Sequence, residues 1–477
     1  MKKRVLIFLL LAAGTVGVCK QSQANALESP EAATQPVTME VQASSSVVLP
    51  GQKVLLAARV TGTSDKRVEW SLKEGEAAGS IFLSPDYRDT DHSGPLWVYT
   101  ASNTPGTYQV IATANADKEH PVTMALVVQP FVMGCTARSD QVGVWQNITP
   151  PQVDLTKGDF FGMQAMVVDP VNPSTIYAGR AMDGIYKSTD CGANWKKIST
   201  GRNSHAMSSG RSWTMAINPS NTQTIYTNQG YGAGGVFKTT NGGVDWDQVL
   251  TPNITTVLPY GGFVYAISMD PNDPRHLLVG WHAECPPPLA KFCFAETMDG
   301  GASWVLRDGN PSWSGGEGAL IDFLDSKSWI FASQSNGLWI SRDKGASWQQ
   351  ILGVSISHGR GQLYRAIDGS FYLGTANGIL HSVDGLSWAA LPESQNLVMG
   401  LIGDGKTLYF SKAFPYNVPG ADPYLPYYSS PEGPPYRWTP MRSPIMRNGG
   451  AELHLDKIHH ILYSTNMDAG LWRLVIQ

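Results

Sequence analysis

One eight-residue pattern returns along the chain and constrains its fold more than any other feature. Its template is Ser/Thr-x-Asp/Asn-x-Gly-x-x-Trp, and it is met in full at residues 188–195, 239–246, 297–304 and 341–348. A copy at 382–388 is one residue shorter, and a degenerate copy leads to Trp438. The tryptophans are spaced 40 to 58 residues apart. Internal repeats of about that period indicate a propeller or a solenoid.

Each copy of the pattern follows three segments that suit β-strands. In the first unit these segments are residues 163–170, 174–179 and 183–188. A seventh unit has no fourth strand of its own, and a matching strand lies instead at 143–149. The sequence therefore predicts a seven-bladed all-β propeller over residues 142–477, closed by an N-terminal strand that covers the open sheet edges.

The region before the repeats predicts a second all-β domain. Residues 37–130 hold about seven short alternating segments, separated by turn signals such as Pro-Gly at 50–51 and 105–106. That number of strands in so short a region indicates a small sandwich. With Trp70 on a central segment and a Pro-Gly-Thr-Tyr run ending at Tyr108, the region resembles bacterial immunoglobulin-like modules. Residues 131–141 are expected to form a junction.

The N-terminus has the features of an export signal. Residues 1–26 combine a Lys-Lys-Arg start, an apolar stretch and an Ala-Asn-Ala cleavage site, and residues 27–36 form a polar linker. The apolar stretch is shorter than the roughly 20 residues that a membrane span needs, so no transmembrane segment is predicted. The alternative is a lipoprotein signal that places a lipid anchor on Cys19. Both interpretations predict a periplasmic, cell-surface or extracellular protein of a bacterium.

Cysteine usage agrees with export. Without Cys19 four cysteines remain, and four cysteines allow three pairings. Cys285 and Cys293 flank a Pro-Pro-Pro run and are close in sequence, so locality favours disulfides Cys285–Cys293 and Cys135–Cys191. The net charge of −4 gives no basic excess for nucleic acid. The chain lacks Cys-x-x-Cys clusters, and no metal or cofactor is predicted.

The repeated pattern resembles the Asp-box, or BNR, repeat. That repeat occurs in sialidases, tandem-propeller xyloglucanases, sortilin-type receptors and a photosystem II assembly factor. The resemblance covers residues 142–477 and implies the propeller fold, but these families have unrelated activities. The chain departs from sialidases, which usually have six blades and an Arg-Ile-Pro motif, and from xyloglucanases, which normally have two propellers. Catalytic residues are therefore not transferred from either family.

Candidate site residues are those that the repeat does not explain. The pattern itself is best explained as turn chemistry on one face of the ring, so the opposite face is expected to carry function. The catalytic candidates are Glu317, Glu284, His282 and Asp183, with Asp468 behind them, although Asp183 also fits a recurring Asx-Gly hairpin turn. The substrate-binding candidates are Arg211, Trp213, Trp281, Trp313, His358, Arg360 and Arg447. Aromatic rings that stack on sugars, beside charged groups that bind hydroxyls or acidic substituents, indicate a glycan site.

Two classes of function fit this pattern. The first is a glycan-directed protein that binds or cleaves extracellular polysaccharide or glycoconjugate. Cleavage would use two carboxylates as in glycoside hydrolases, or a histidine and a tyrosine in a lyase-like elimination. The second is a non-catalytic scaffold similar to the photosystem II assembly factor, with a cell-surface protein as partner. The sequence favours glycan recognition and leaves catalysis undecided.

Overall fold

β-strands make up nearly all of the regular structure. The computed structural model describes residues 36–477 apart from 85–95, 137, 159–160, 252–262, 283, 286, 314–319, 356–360, 395–396, 413–423, 425 and 477. Within these residues there are 36 strands, one short helix, α1 (Ser204–Met207), and two 3-10 turns, Gly75–Ala78 and Ser139–Gln141. The all-β prediction is confirmed. The predicted export signal, Cys19, Glu317, His358 and Arg360 lie outside the described residues.

The N-terminal region consists of two four-stranded sheets. Its strands are β1 (Thr38–Ala43), β2 (Val47–Val48), β3 (Lys53–Thr61), β4 (Val68–Leu72), β5 (Gly79–Leu83), β6 (Trp97–Ala101), β7 (Gly106–Ala114) and β8 (Asp117–Val128). One sheet has the order β1-β3-β6-β5 and the other β2-β8-β7-β4. Val54, Tyr99 and Val110 share one buried core, and Trp70 packs against it. Alternating side chains therefore give each sheet one apolar face.

Seven further four-stranded antiparallel sheets are present in the described part of the chain. The first sheet contains β10 (Met163–Val168), β11 (Ile176–Arg180), β12 (Gly184–Ser188) and β13 (Lys196–Lys197). The second contains β14 (Met215–Ile217), β15 (Ile225–Asn228), β16 (Val236–Thr239) and β17 (Asp247–Leu250). The third contains β18 (Val264–Asp270), β19 (Asp273–Trp281), β20 (Cys293–Thr297) and β21 (Val305–Asp308). The fourth sheet contains β22 (Leu320–Phe323), β23 (Trp329–Ser333), β24 (Gly337–Ser341) and β25 (Gln349–Leu352). The fifth contains β26 (Leu363–Arg365), β27 (Phe371–Thr375), β28 (Gly378–Ser382) and β29 (Ala389–Ala390). The sixth contains β30 (Val398–Gly403), β31 (Thr407–Lys412), β32 (Tyr427–Pro431) and β33 (Thr439–Met441). Each sheet keeps its strands in sequence order, as in the blades of a propeller.

The last sheet closes the ring. It contains β34 (Glu452–Asp456), β35 (Ile461–Thr465), β36 (Leu471–Val475) and, as its outer strand, β9 (Trp145–Asn147). β9 pairs antiparallel with β36, with Trp145 opposite Leu474, as the sequence predicts. Strand β10 contacts both β14 and β34, so the first and last sheets are neighbours. Pairing the two distant segments covers an edge that would otherwise expose unpaired backbone groups.

The repeated motif forms the turn between the third and fourth strands of a sheet. In the first copy the Ser188 hydroxyl donates to Asp190 and accepts the Gly192 backbone N–H, both at 2.8 Å. The indole N–H of Trp195 donates to the Gly192 carbonyl at 3.0 Å. The copy at residues 239–246 repeats the hydroxyl–glycine and indole–glycine bonds. The copies that end at Trp304 and Trp348 keep the hydroxyl–glycine bond, but their indole N–H groups have no partner among the described residues. The hydroxyl–glycine bond is therefore the constant feature of the turn.

Antiparallel order separates the ends of the sheets into two faces. The motif turns and the turns between first and second strands lie at one end, which we call the motif face. The connections between second and third strands, and the links from one sheet to the next, lie at the other end, which we call the link face. A residue just before a first strand, or just after a second strand, therefore belongs to the link face.

Both predicted disulfides are present. Cys135 is bonded to Cys191, and Cys285 is bonded to Cys293. The first joins the junction to the motif copy after β12, and the second staples the connection between β19 and β20. Disulfides are typical of exported proteins. Among the described residues, no helix is long and apolar enough to cross a membrane.

The two-sheet region is held against the ring by backbone pairing. Residues 37–477 form one compact unit. Ser46 N–H donates to the Ile445 carbonyl, and Arg447 N–H donates to the Ser44 carbonyl, both at 3.2 Å. Lys53 adds an ion pair with Asp154 at 2.8 Å. Ile445 and Arg447 lie in the link before β34, and Asp154 lies in the link before β10. The two-sheet region is therefore anchored on the link face.

Candidate functional site

Seven side chains from the first three sheets meet on the link face. We call this group the Arg211 cluster, and it comprises Phe161, Arg211, Trp213, Tyr231, Phe263, Tyr265 and His282. Three of these residues, Arg211, Trp213 and His282, are candidates from the sequence. The other four come from links and strand ends that the sequence pattern assigns to the repeat.

Arg211 lies between two aromatic rings. Its guanidinium carbon is 4.0 Å from the centre of the Phe161 ring and 4.6 Å from the centre of the Tyr231 ring. A guanidinium over aromatic rings gains cation–π stabilisation. The two rings therefore fix the positive charge of Arg211 beside Tyr231.

The backbone around Arg211 is fixed by a local bridge. Arg211 and Gly230 exchange two backbone hydrogen bonds, at 2.7 and 2.8 Å. A Cβ atom at Gly230 would lie 2.1 Å from the Phe263 ring, so only glycine allows that ring to approach. The buried Asn228 side chain accepts the Trp213 N–H at 2.8 Å and donates to the Val264 carbonyl at 2.7 Å. Asn228 thereby ties the link before β14 to β18 beneath the cluster.

The cluster combines exposed and buried rings. Tyr231 is 51% exposed and has a backbone φ of 56°, in the left-handed region. Such a conformation in a non-glycine residue is uncommon and is found more often at functional sites. His282 stacks on Phe263, with ring centres 4.6 Å apart. Tyr231 therefore presents the accessible ring, while the buried members hold its surroundings in place.

A cavity of about 250 Å³ opens beneath the cluster at the centre of the ring. It is lined by first-strand residues of all seven sheets and by the residues just before those strands. Trp213 and Tyr265 belong to both the cluster and the cavity wall. Four methionines line it: Met166, Met215, Met269 and Met399. The polar lining includes Gln164, Asp322, Gln362, Glu452 and His454.

Two polar atoms in the cavity wall have no hydrogen-bond partner among the described residues. They are Oε1 of Gln164, whose residue is 4% exposed, and Nε1 of Trp213, whose residue is 8% exposed. Glu452, in the same wall, does have partners: its carboxylate accepts the Met166 N–H at 3.3 Å and lies 3.2 Å from His454 Nε2. A buried polar atom without a partner is uncommon and needs an explanation.

Asp183 lies in the turn between β11 and β12 and is paired there. Its carboxylate accepts hydrogen bonds from Lys197 Nζ at 2.7 Å and from the Tyr186 hydroxyl at 2.6 Å. Burial raises the pKa of Asp183, but these two bonds outweigh burial and hold the pKa below its usual value. An ionised, paired aspartate is a poor general acid at neutral pH, and the geometry agrees with the turn interpretation.

Two of the predicted tryptophans lie in the core rather than on a ligand-facing surface. Trp281 is 3% exposed and packs with the Cys285–Cys293 disulfide. Trp313 is 2% exposed and stacks on Phe331, with ring centres 3.7 Å apart. Here the structure differs from the prediction: Trp281 is the last residue of β19 and points into the core, and Trp313, which lies outside the strands, packs onto Phe331 of β23.

Glu284 lies beside the stapled connection between β19 and β20. Its side chain is 46% exposed, and its carboxylate is 3.6 Å from Lys291 Nζ. The Cys285 N–H donates to the Lys291 carbonyl at 2.7 Å, so the disulfide loop is closed by backbone as well as by sulfur. Glu284 is therefore on the link face and accessible, but it is not one of the Arg211 cluster residues.

Arg447 and Asp468 form a buried ion pair. Arg447 Nε lies 3.6 Å from Asp468 Oδ2, and their side chains are 6% and 0% exposed. The amide of Asn448 donates to the other oxygen of Asp468 at 2.9 Å. Because the Arg447 backbone also pairs with the N-terminal region, its position supports the link between β33 and β34 rather than an open ligand surface.

One group of potential metal ligands occurs among the described residues. It comprises Cys135, Cys191 and His459. Both sulfurs are consumed by the disulfide, and a metal ligand must be a thiolate. The residues present therefore do not fit a metal ion in the oxidised protein.

The ring of sheets and the side chains on its link face define the class: this is a β-propeller protein with a candidate ligand site over its centre. No protein-family model matches the chain. A curated xyloglucanase of Hypocrea jecorina is 24% identical over 248 residues, which cover 49% of this chain and 25% of that protein. The chain thus spans about a quarter of the length of this curated relative.

Two solved structures are partly similar to this chain, YCF48 and a GH74 xyloglucanase. YCF48 from Cyanidioschyzon merolae has a TM-score of 0.48 at 11% identity, covering 69% of this chain and 98% of that one. The GH74 xyloglucanase from Xanthomonas campestris has a TM-score of 0.35 at 12% identity, covering 92% of this chain and 74% of that one.

Proposed function

We propose that this is an exported glycan-binding protein of a bacterium. In this proposal residues 37–130 are an immunoglobulin-like module and residues 142–477 a seven-bladed Asp-box propeller. The link face engages a polysaccharide or glycoconjugate through the Arg211 cluster. The observation that carries the proposal is Arg211 held between Phe161 and the half-exposed Tyr231, over a cavity lined by Trp213.

The chemistry of the cluster favours sugar as the ligand. Sugar rings have an apolar face that stacks on aromatic side chains and an edge of hydroxyls that accept and donate hydrogen bonds. Tyr231 supplies the accessible ring, and Arg211 places a positive charge beside it. Polar atoms in the cavity below extend the same pattern. A purely apolar pocket would lack these fixed polar groups.

Binding can be tested with polysaccharides and two matched variants. Xyloglucan is the first probe, because the curated relative is a xyloglucanase, followed by β-1,4-glucan and homogalacturonan. We expect Tyr231→Ala to weaken binding about tenfold in titration calorimetry while leaving the thermal midpoint nearly unchanged. Tyr108→Ala, at the edge of the N-terminal region, is the control and should bind like the wild type. Equal affinity of wild type and Tyr231→Ala for every polymer bound would contradict the proposed site.

Hydrolysis of the bound glycan is a second proposal. Among the sequence candidates, Asp183 and Asp468 are tied in ion pairs, which leaves Glu284 and Glu317 as the carboxylates to test. A glycosidase needs one carboxyl group as acid and a second as base or nucleophile. We expect Glu317→Gln to abolish release of reducing sugar while retaining binding. Binding without release by the wild-type protein on all three polymers would exclude hydrolysis of these glycans and leave a binding protein.

Protein recognition is the alternative that the same cluster admits. Tyr, Trp and Arg are enriched at the centres of protein interfaces, and the ordered link face would present them rigidly. If the protein binds none of the glycans but Tyr231→Ala releases a co-purifying protein that the wild type retains, the scaffold function replaces glycan binding.

A further inference from the structure

We propose that Cys135, Cys191 and His459 form a Zn²⁺ site when the disulfide between the two cysteines is reduced. The oxidised protein does not offer this site, because the two sulfurs are bonded to each other. The ligand atoms of the three residues nevertheless lie within 4.8 Å of one another. The site is separate from the Arg211 cluster and does not depend on glycan binding.

Asp456 positions His459 and supplies a fourth ligand. Asp456 is fully buried, and its Oδ1 accepts the backbone N–H groups of Ile458 at 2.9 Å and of His459 at 3.0 Å. Its Oδ2 lies 2.5 Å from His459 Nδ1 and 4.0 Å from Cys191 Sγ. His459 Nδ1 is also 4.0 Å from that sulfur. Two thiolates, an imidazole and a carboxylate are a donor set that zinc accepts.

The spacing of these atoms fits a metal ion better than a proton relay. A Cys-His-Asp relay uses the two ring nitrogens of histidine separately, whereas here Nδ1 faces both Asp456 and Cys191. Tetrahedral bonds of about 2.0–2.3 Å to zinc place the ligand atoms roughly 3.3–3.8 Å apart. The two separations of 4.0 Å therefore close by only about 0.5 Å, and the contact between Asp456 and His459 opens by a similar amount. Cys135 lies outside the strands, which allows the two sulfurs to separate on reduction.

Arg473 holds both cysteines near each other when the disulfide is open. It is a fully buried residue of β36, and its Nη1 donates to the Gly134 carbonyl at 2.6 Å and to the Cys191 carbonyl at 3.0 Å. Its Nε donates to Gln146 of β9 at 2.8 Å. The guanidinium thus joins the residue before Cys135 to Cys191 without the S–S bond. Its positive charge also favours the thiolates that a metal ion requires.

The site is loaded by thiol–disulfide exchange followed by metal binding. A thiolate of a dithiol reductant attacks Cys135 Sγ, because Cys135 is partly exposed and Cys191 is buried, and Cys191 leaves as a thiolate. The second thiol of the reductant then attacks the mixed disulfide, which releases Cys135 and leaves the reductant oxidised to a disulfide. Zn²⁺ displaces the remaining thiol protons, which go to solvent.

The bound ion connects more of the ring than the disulfide does. The disulfide joins the junction to the first sheet, whereas His459 and Asp456 lie in the turn between β34 and β35 of the last sheet. Zinc therefore ties the junction, the first sheet and the last sheet together on the motif face. The reduced protein keeps its ring closed in this way.

Zinc binding is measured by metal analysis of the purified protein with and without a phosphine reductant, which opens disulfides without offering thiols to the ion. We expect one zinc per chain in the reduced protein and none in the oxidised protein. Two double variants separate the cysteine pairs, since both disulfides are reduced. Cys285→Ala with Cys293→Ala should keep the zinc, and Cys135→Ala with Cys191→Ala should lose it.

Two neighbouring histidines provide a matched test of the imidazole ligand. His460 follows His459 in the same turn but is exposed and is not one of the ligand group. We expect His459→Asn to weaken the zinc affinity of the reduced protein at least about tenfold, while His460→Asn binds like the wild type. Zinc should also raise the thermal midpoint of the reduced wild type, because it binds the folded state, and should not do so in His459→Asn.

Three results would each overturn the site. They are a reduced wild type that takes up no zinc, full zinc uptake after loss of Cys135 and Cys191, and equal zinc affinity of the two histidine variants. Both histidine variants keep the disulfide and are purified in the oxidised state, so their comparison decides even where a cysteine variant does not fold. None of these results changes the case for glycan binding.

Discussion

The two faces of the ring differ in how regularly their contacts repeat. On the motif face the bond from the glycine N–H to the Ser or Thr hydroxyl recurs in all four full copies of the motif. The indole–glycine bond joins it in the copies that end at Trp195 and Trp246. On the link face the described side chains follow no repeat, and Arg211 lies against rings from separate segments. Bonds that recur in each motif copy stabilise each sheet in the same way, whereas side chains that depart from the repeat act at one place only.

The largest expected effect is a loss of stability caused by a substitution on the motif face. Trp246 is fully buried and donates its indole N–H to the Gly243 carbonyl at 2.8 Å. We expect Trp246→Ala to lower the free energy of unfolding by about 3–5 kcal/mol, the usual cost of emptying such a site, measured by denaturant titration. Tyr231→Ala on the link face should change stability by less than about 1 kcal/mol and reduce binding instead. A comparable loss of stability in both variants would remove the distinction between the faces.

The two disulfides allow a second comparison, in which the expected changes in the free energy of unfolding are of similar size to that of Trp246→Ala. Cys135 and Cys191 are separated by 56 residues, and Cys285 and Cys293 by 8. Loop-closure entropy predicts about 4 kcal/mol for the longer loop and about 2.5 kcal/mol for the shorter. Replacing each pair by alanines and measuring unfolding at equilibrium should therefore cost more for Cys135 and Cys191. The reverse order would show that the stapled connection on the link face is strained or supported differently.

A smaller effect concerns pH and a buried histidine toward the motif face. His276 lies between Asp270 and Glu296, 3.0 Å from each carboxylate, and Arg307 lies 3.5 Å from Glu296. Burial lowers the pKa of His276, but hydrogen bonds to Glu296 and Asp270 outweigh it and raise the pKa above its usual value.

The sign of the pH dependence follows from that shift. Because the pKa is higher in the folded protein, the stabilisation is complete below about pH 6.5, the pKa of an unperturbed histidine, and is lost as pH rises through the folded pKa. We expect His276→Gln to destabilise by about 1–3 kcal/mol at pH 5.5 and by less at alkaline pH. A constant difference across that range, measured by urea unfolding, would show that the pKa of His276 is the same in the folded and unfolded protein.

The smallest expected effect is at Asp183. Its ion pair with Lys197 is about one-third exposed on each side, and such pairs contribute roughly 0–1 kcal/mol. We expect Asp183→Asn to leave glycan binding and any hydrolysis unchanged, as measured by titration and by reducing-sugar release. Lys197→Gln is the matched control for the ion pair alone. Loss of turnover in Asp183→Asn but not in Lys197→Gln would make Asp183 a catalytic residue.

The fold was largely predictable because its signals are local. Strand alternation, Pro-Gly turns and the recurring tryptophan motif each span fewer than ten residues. The closing strand around Trp145 is predicted by the similarity of its residues to those after the first motif, and the disulfides by the closeness of Cys285 to Cys293 in the sequence. Strands β2 and β5 are not predicted by the sequence pattern: β2 has only two residues, and β5 directly follows the 3-10 turn Gly75–Ala78.

The site was predictable only in part, because ring geometry assembles it. Arg211, Trp213 and His282 were singled out as residues that the repeat does not explain. Phe161, Tyr231, Phe263 and Tyr265 looked like ordinary link and strand residues, and nothing in their spacing shows that they converge. Sequence also does not distinguish an aromatic residue that faces a ligand from one that folds inward. Gly230 was the available signal, since a glycine beside an aromatic residue can mark a close approach.

Closing the ring through β9 and β36 has a consequence for biosynthesis. The partner of Trp145 is Leu474, more than 300 residues later, so an early strand waits until nearly all of the chain has been made. Contacts of such long sequence separation form slowly. Until that pairing forms, the edge of β36 that Trp145 and its neighbours cover has no partner strand.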